Sequence, residues 1–211
     1  MTDIPLIGGP DARTPTRQIR ASYDDSTITV YQAYSSAIAV PAAAGNSFVG
    51  TPFKLERMTW VKPSFLWMMY RSGWATKPGQ EHVLGIRMTR SGFEQALSVA
   101  CLSHFDPQIH PDLAAWRGSA RTSPVRVQWD PERDRFLEPL PWRSLQLGLS
   151  REATISYRDD WVVGIQDITA TVRELQREVE VARNEDAPAG LPEERVYPLP
   201  AAIADALGVT R

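Results

Sequence analysis

Cationic and aromatic side chains are concentrated in one segment of the sequence, residues 57–80. The segment combines four cations with three tryptophans and a tyrosine, in the order RMTWVKPSFLWMMYRSGWATKPGQ. Cations beside aromatic faces suit a ligand with phosphate and a planar base, because they offer charge-assisted hydrogen bonds and stacking. The candidate ligand-binding side chains near the ends of a predicted helix and in the following loop are Lys62, Tyr70, Arg71, Trp74 and Lys77.

Core packing is the alternative explanation for the aromatic residues of this segment. The three tryptophans are spaced by seven residues, which is also typical of one helix face packed in a core. Pro63 and Gly73 prevent a single continuous helix through all three tryptophans. The side chains that we expect to pack in the core are Trp67, Met68 and Met69.

A second group of polar side chains follows one face of three predicted strands. These positions are Gln18 and Arg20, then Arg126, Gln128 and Asp130, then Ser144 and Gln146. If the strands are neighbours, their guanidinium, amide and carboxylate groups form the floor of a pocket. The candidates for ligand binding are Arg20, Arg126, Gln128, Asp130 and Gln146. Asp130 or Glu132 could supply a carboxylate for acid–base chemistry. Alternatively, these side chains are solvated, or bond to one another and only stabilise the fold.

Residues 101–112 contain several types of potential metal ligand, in the order CLSHFDPQIHPD. We expect no metal site there, because Cys101 extends the apolar stripe of a predicted helix and a buried thiol is a poor ligand and nucleophile. The sequence also lacks a dinucleotide-binding glycine motif, a phosphate-binding loop, the serine hydrolase and zinc protease motifs, and a C-x-x-C pair.

Composition excludes several broad classes of protein. The 211 residues suffice for a real core, and the single cysteine excludes an internal disulfide. The longest apolar run, residues 65–70, is far shorter than the ~20 residues of a membrane helix, and the N-terminus lacks a secretory pattern. We therefore expect a cytoplasmic protein without membrane contact. The formal net charge of −2 gives no sign of bulk nucleic-acid binding.

Hydrophobic periodicity predicts the elements that position these residues. Residues 64–72 are predicted as a helix that follows Pro63 and ends at Gly73. Residues 82–90 form a predicted strand, and a helix over 91–101 follows it, with capping-box spacing of Ser91 and Glu94. Alternation predicts strands over 125–129 and 145–149, and a turn over 130–134.

The remaining segments complete an α+β prediction. Residues 17–34 are predicted as a hairpin, 37–45 as a short helix broken at Pro41, 150–160 as a helix, 161–165 as a strand, and 168–183 as an amphipathic helix. The mixed element order predicts a single α+β domain over 17–183, with a mixed, largely antiparallel sheet packed by several helices. Residues 1–16 are predicted as a flexible leader, and 184–211 as a Pro-rich arm with a short helix at 201–207.

Five sequence blocks resemble a known family. They read RQIRASYDDSTITVYQAYSSAIA, RMTWVKPSFLWMMYRSGW, SPVRVQWDPERD, RSLQLGLS and LPEERVYPLP. Together they resemble domain of unknown function 4291, a family found in bacteria and some eukaryotes, over roughly residues 17–200. This resemblance implies neither an activity nor a catalytic residue, and residues 101–112 are not part of the pattern.

The sequence therefore predicts a small enzyme that binds a phosphate-bearing ligand, such as a nucleotide, a dinucleotide or an RNA end. Charge would be neutralised by Arg20, Lys62, Arg71 and Lys77, and Trp74 or Tyr70 would stack on the base. An activity resembling that of ADP-ribosyltransferases is one form of this hypothesis, drawn from fold-level analogy. The alternative is a non-catalytic binding module for a protein or nucleic-acid partner. The sequence indicates neither a cofactor nor an oligomeric state.

Overall fold

The computed structural model describes residues 15–181 and 190–210, which form an α+β fold with largely antiparallel pairing. The strands are β1 (Arg20–Ala21), β2 (Thr27–Tyr34), β3 (Thr59–Val61), β4 (His82–Thr89), β5 (Ala100–Leu102), β6 (Val125–Arg133), β7 (Pro139–Leu149), β8 (Val162–Asp167) and β9 (Arg195–Val196). The helices are α1 (Ser36–Gly45), α2 (Phe65–Ser72), α3 (Arg90–Ser98), α4 (Leu113–Thr122), α5 (Glu152–Ser156), α6 (Thr169–Val181) and α7 (Ala201–Ala206), with a π-helical turn over Tyr157–Trp161. The predicted α+β class is confirmed.

The described strands form three sheets. One has the order β2-β4-β8, a second has the order β3-β7-β6-β5, and β1 pairs with β9. All strand pairs are antiparallel except β5 with β6. The first two sheets are joined where Tyr31 of β2 bridges Lys62, the residue that follows β3. This bridge places Lys62 at the junction of the two sheets.

Alternating apolar side chains bury one face of the central strands. Leu84, Ile86 and Met88 of β4 are fully buried, as are Val125 of β6 and Leu147 of β7. A second cluster surrounds α2 and includes Phe65, Met69, Trp74, Val172 and Leu175. The strand predictions from alternation are confirmed for β4, β6 and β7, and Trp67, Met68 and Met69 are buried as expected.

The helix α2 has the ends that its sequence predicts. The Ser64 hydroxyl accepts a hydrogen bond from the amide of Trp67, and Gly73 ends the helix with a left-handed backbone conformation, φ 59°. The C-terminal segment adds a further cap, because the Glu194 carboxylate accepts a hydrogen bond from the amide of Phe65 at 2.6 Å. The helix is therefore held at both ends, which fixes the side chains of its last turn.

The predicted turn over residues 130–134 is wrong, because β6 continues to Arg133. Pro131 lies opposite Arg143 of β7, and the register shifts between Pro131 and Arg133. The chain turns at Asp134, whose carboxylate accepts hydrogen bonds from two amides within residues 136–138. The Pro-Glu-Arg-Asp pattern that suggested a turn is thus accommodated by a β-bulge within the strand.

The helix predicted over residues 91–101 is also corrected. It begins at Arg90, because the hydroxyl of Thr89, not that of Ser91, accepts the capping hydrogen bond from Gly92. It ends at Ser98, and Cys101 lies in β5, which pairs in parallel with β6. The sequence did not predict β3, β5, β9 or α4.

Two further local predictions need correction. Pro41 does not break α1, which runs through it to Gly45. The residues around Asp24 do turn the chain, but β1 pairs with β9 rather than with β2. Only a single bridge, between Tyr23 and Ile28, connects the two arms of the predicted hairpin.

The described C-terminal residues pack against the rest of the fold. Tyr197 and Leu207 are buried, and the Trp129 indole donates a hydrogen bond to the Leu207 carbonyl at 3.0 Å. The helix predicted near 201–207 is confirmed as α7. Most of the predicted leader lies outside the described residues, and the division of the chain near residue 184 stays a prediction. No helix in the described part of the chain is long and apolar enough to cross a membrane.

Candidate functional site

The polar face of the four-stranded sheet brings candidate residues from β6 and β7 together beside Lys62. Gln128 of β6 lies directly opposite Gln146 of β7, and Val61 of β3 lies opposite Leu147. A cavity of about 590 Å³ lies there, which we call the central groove. Its lining residues are Trp60, Lys62, Trp67, Tyr70, Arg71, Gln128, Asp130, Pro131, Arg133 and Gln146.

Lys62 is the most unusual charged group of the central groove. It is only 6% exposed. Among residues 15–181 and 190–210, its ammonium makes no hydrogen bond or ion pair of the usual length. Burial, and to a smaller extent repulsion by Arg71, lower the pKa of Lys62, and attraction by Asp130 partly offsets them, so that the pKa is about 7. Near neutral pH this side chain is therefore divided between ammonium and free amine.

Asp130 is held in a fixed orientation on the floor of the groove. The Gln128 amide donates a hydrogen bond to one carboxylate oxygen at 2.9 Å, and the Gln146 amide donates to the other at 2.8 Å. The cross-strand register of the two glutamines makes this arrangement possible. Part of the polar face is thus bonded internally, and it presents an oriented carboxylate near Lys62.

Aromatic rings form one wall of the central groove. The rings of Trp67 and Tyr70 are stacked with centroids 5.2 Å apart, and the Arg133 guanidinium lies 3.6 Å from the Tyr70 centroid. Tyr70 remains 37% exposed. The indole nitrogen of Trp67 is buried without a hydrogen-bond partner in the described chain.

The indole of Trp60 in β3 packs over Gly148 of β7, because a glycine at that position leaves room for the ring. A Cβ atom at Gly148 would lie 3.0 Å from the Trp60 ring and 2.7 Å from the Met58 sulfur. The Trp60 side chain is half-buried and lines the central groove. It also lines a neighbouring cavity of about 420 Å³, together with Lys62 and Arg71. Trp60 thus lies where the two cavities meet.

Six of the ten candidate ligand-binding residues line the central groove. They are Lys62, Tyr70, Arg71, Gln128, Asp130 and Gln146. The other four do not line it. Trp74 is buried in the core beside Phe65, and the Lys77 ammonium donates hydrogen bonds to the carbonyls of Tyr70 and Arg71 at the end of α2. The Arg126 guanidinium donates to backbone carbonyls of residues 123 and 125.

Arg20, the fourth of these, lies near the carboxyl groups of Glu132, which is buried, and Glu194, which is half-buried. The Glu132 carboxylate accepts hydrogen bonds from the Ser64 hydroxyl at 2.9 Å and from the Arg133 amide at 2.8 Å. Desolvation raises the pKa of Glu132. Desolvation and repulsion by Glu132 raise the pKa of Glu194. The positive charge of Arg20 opposes both increases. Of the two carboxylates considered for acid–base chemistry, Asp130 lines the groove and Glu132 does not.

Sequence reasoning missed four groove residues, namely Trp60, Trp67, Pro131 and Arg133. Trp67 was assigned to core packing, and Pro131 to the predicted turn. Arg133 was assigned to a turn, whereas the continuation of β6 brings its guanidinium over Tyr70. Trp60 belongs to the segment rich in cations and aromatic rings, but its position depends on pairing with Gly148, which no local pattern indicates.

The histidine-rich segment does not form a metal centre in the part of the chain that the structure describes. Cys101 is buried in β5, and burial raises the pKa of its thiol. Asp106 forms an ion pair with Arg17 at 2.8 Å, and its backbone contacts the His110 ring. No group of three or more histidine, cysteine or acidic side chains is close enough to hold a metal there.

Comparison with known families agrees with this arrangement of sequence blocks. The family model described as Domain of unknown function (DUF4291) matches residues 18–197. The chain belongs to this family. The match spans β1 to β9 and includes every residue of the central groove. None of the curated proteins matches the chain.

We expect Lys62→Met to stabilise the protein while removing the groove's buried cation. A buried ammonium without a protein partner is costly, and methionine has a similar length without the charge. The expected gain in unfolding free energy at pH 6 is about 1 kcal/mol. Because the native pKa of Lys62 is lowered to about 7, the wild-type protein regains stability as the pH rises toward 10.5, and the difference should shrink.

The measurement is thermal and denaturant unfolding between pH 6 and 9. Lys77→Met is the matched control, because it removes two hydrogen bonds to helix carbonyls and should lower the melting temperature. A destabilised Lys62→Met protein at every pH would contradict the expectation.

We expect stability to fall as the pH rises from about 4.5 through the raised native pKa of Glu194. A native pKa above that of the unfolded chain means that the folded protein binds the proton more tightly. Glu194→Gln keeps an oxygen for the Phe65 amide and should flatten this fall, so that the variant is more stable than wild type at pH 8. Denaturant unfolding from pH 4.5 to 8 tests this, with the exposed neighbour Glu193→Gln as control. Identical pH profiles for wild type and Glu194→Gln would be evidence against a desolvated Glu194.

Proposed function

We propose that this chain binds a phosphate-bearing ligand in the central groove. Lys62 and Arg71 neutralise the phosphate, and Trp60 and Tyr70 contact a planar base. The proposal rests on the environment of Lys62. This residue is only 6% exposed and lines the central groove, and its ammonium has no close partner in the described chain.

An anion would resolve the electrostatic conflict in this groove. Lys62 and Arg71 repel each other, and Asp130 only partly offsets that repulsion. Phosphate oxygens can accept charge-assisted hydrogen bonds from both cations at once. The Asp130 carboxylate does not take this role, because it accepts hydrogen bonds from the amides of Gln128 and Gln146 instead. A phosphate-bearing ligand is therefore the class that best fits the charges of the groove.

We further propose that the protein is an enzyme. A lysine with a pKa of about 7 is suited to accept or deliver a proton at neutral pH, and the oriented Asp130 carboxylate lies close enough to influence it. Group transfer from a dinucleotide, resembling the chemistry of ADP-ribosyltransferases, is one form of the proposal. A binding module without catalysis is the alternative, favoured if ligands bind but are not consumed.

Calorimetric titration with pyrophosphate, ATP and nicotinamide adenine dinucleotide tests the binding step. We expect at least one to bind to wild type and Lys77→Met, and binding to weaken at least tenfold in Lys62→Met and Arg71→Met. Since an anion favours protonated Lys62, affinity should fall by up to tenfold for each pH unit above about 7. Failure of all three ligands, or equal binding to Lys62→Met, would contradict the proposal.

Turnover assays separate the enzyme from the binding module. The bound ligand is incubated with wild type and Asp130→Asn, and its products are followed by mass spectrometry. We expect Asp130→Asn to bind the ligand within a few-fold of wild type but to convert it at least a hundredfold more slowly. Tight binding without conversion by wild type would assign the chain to the binding module.

A further inference from the structure

We infer that the phosphate-bearing ligand is a single-stranded oligonucleotide, bound along a continuous groove of which the central groove is the middle part. This inference rests on the proposed function and specifies its ligand class. We infer a ligand longer than a mononucleotide because basic and aromatic side chains line the cavities on both sides of the central groove, as they line the central groove itself.

Three cavities with shared lining residues lie along the four-stranded sheet. The cavity of about 420 Å³ shares Trp60, Lys62 and Arg71 with the central groove. On the other side, a cavity of about 210 Å³ shares Gln128 with it. The three cavities mark a path that starts beside β3, crosses β7 and β6, and ends where β5 stops pairing with β6. Four strands at the usual spacing span about 14 Å, which exceeds the reach of a single phosphate.

Positive charge is concentrated along this path. Among the described residues, seven basic and two acidic side chains line the three cavities, although the whole chain has a net charge of −2. Asp106 and Arg17 form an ion pair with each other, which leaves six basic side chains and one acidic side chain outside that pair. Such a local excess of cations on an acidic protein is the electrostatic pattern expected of a groove that follows a polyanion.

The cations at the β3 end have no protein partners to account for them. In the described chain, the side-chain nitrogens of Lys54, Arg57 and Arg71 make no hydrogen bond or ion pair within the usual distances, as is true of Lys62. Lys54 and Arg57 lie in the loop before β3, and both line the cavity of about 420 Å³. They can contact phosphates that lie beyond the one held by Lys62.

Aromatic rings that are exposed or half-buried along the path favour unpaired bases over a duplex. Trp60 lies between two cavities, Tyr70 is 37% exposed in the centre, and Phe105 is 36% exposed in the cavity at the end of β5. Aromatic side chains stack on bases of single strands, whereas the faces of paired bases are already stacked inside a duplex. The presence of both cations and aromatic rings along the path therefore fits a strand whose bases are free.

Fluorescence anisotropy with a series of labelled oligonucleotides tests the inference. The probes are 5′-phosphorylated uridine oligomers of one, two, four and eight nucleotides, their deoxy equivalents, and a duplex of eight base pairs. We expect affinity to rise at least tenfold from one to eight nucleotides and to exceed that for the duplex. The logarithm of the affinity should fall with the logarithm of salt concentration by about 0.7 per contacted phosphate.

Variants locate the strand in the groove. Lys54→Ala/Arg57→Ala should weaken the eight-nucleotide complex at least fivefold and leave mononucleotide binding unchanged. Arg173→Ala/Arg177→Ala is the matched control, because it removes the same charge from the exposed face of α6 and should have no effect.

The outcomes distinguish this inference from the proposed function. If the mononucleotide binds as tightly as the octamer and Lys54→Ala/Arg57→Ala changes nothing, the inference is overturned while the proposed function stands. If no phosphate-bearing probe binds, both are overturned. Equal affinity for inorganic polyphosphate of the same charge, or for the duplex, would also overturn the single-strand assignment.

Discussion

The organisation of this protein depends on one backbone pairing at the junction of its two larger sheets. The amide of Tyr31 donates to the Lys62 carbonyl at 2.7 Å, and the amide of Lys62 donates to the Tyr31 carbonyl at 3.2 Å. This exchange fixes the backbone of Lys62 beside β2, directly after β3, and there the residue is only 6% exposed. A cation is consequently held below the surface, beside the polar face of the four-stranded sheet.

The residues after Lys62 connect that junction to the aromatic wall of the groove. Ser64 caps α2 and donates to Glu132 of β6, while Glu194 from the C-terminal segment accepts from the next amide. Movement of β6 or of the C-terminal segment would therefore shift α2, which carries Tyr70 and Arg71. The carboxyl groups of Glu132 and Glu194 thus support the groove, even though neither lines it.

The parts of the fold that sequence predicted well are those with a local pattern. Pro63 and Gly73 predicted the limits of α2 to within one residue, and alternation identified β4, β6 and β7. Pairing between distant segments left no such signal. The two-residue strand β9 and the three-residue strand β3 are too short to show alternation, and β5 was hidden at the end of an apolar helix pattern. A strand near β1 was predicted, but its pairing with β9 was not.

The same distinction explains which candidate residues meet in the groove. The shared polar face correctly grouped Gln128, Asp130 and Gln146, because β6 and β7 are indeed neighbours. It misplaced Arg20, because β1 pairs with β9 instead. The sequence indicated that the Lys77 ammonium binds a negatively polarised group, but it did not indicate which one. A phosphate and the carbonyls at a helix end both attract an ammonium group, and here the partners are the helix carbonyls.

The most direct test of the account is a titration of the lysine ammonium groups by NMR, with and without pyrophosphate. The chain has only three lysines, so the Lys62 signal can be assigned by its loss in Lys62→Met. The account predicts that this signal titrates with a pKa of about 7 and that pyrophosphate moves the midpoint upward. A midpoint near the ordinary value of 10.5 that pyrophosphate leaves unchanged would contradict it.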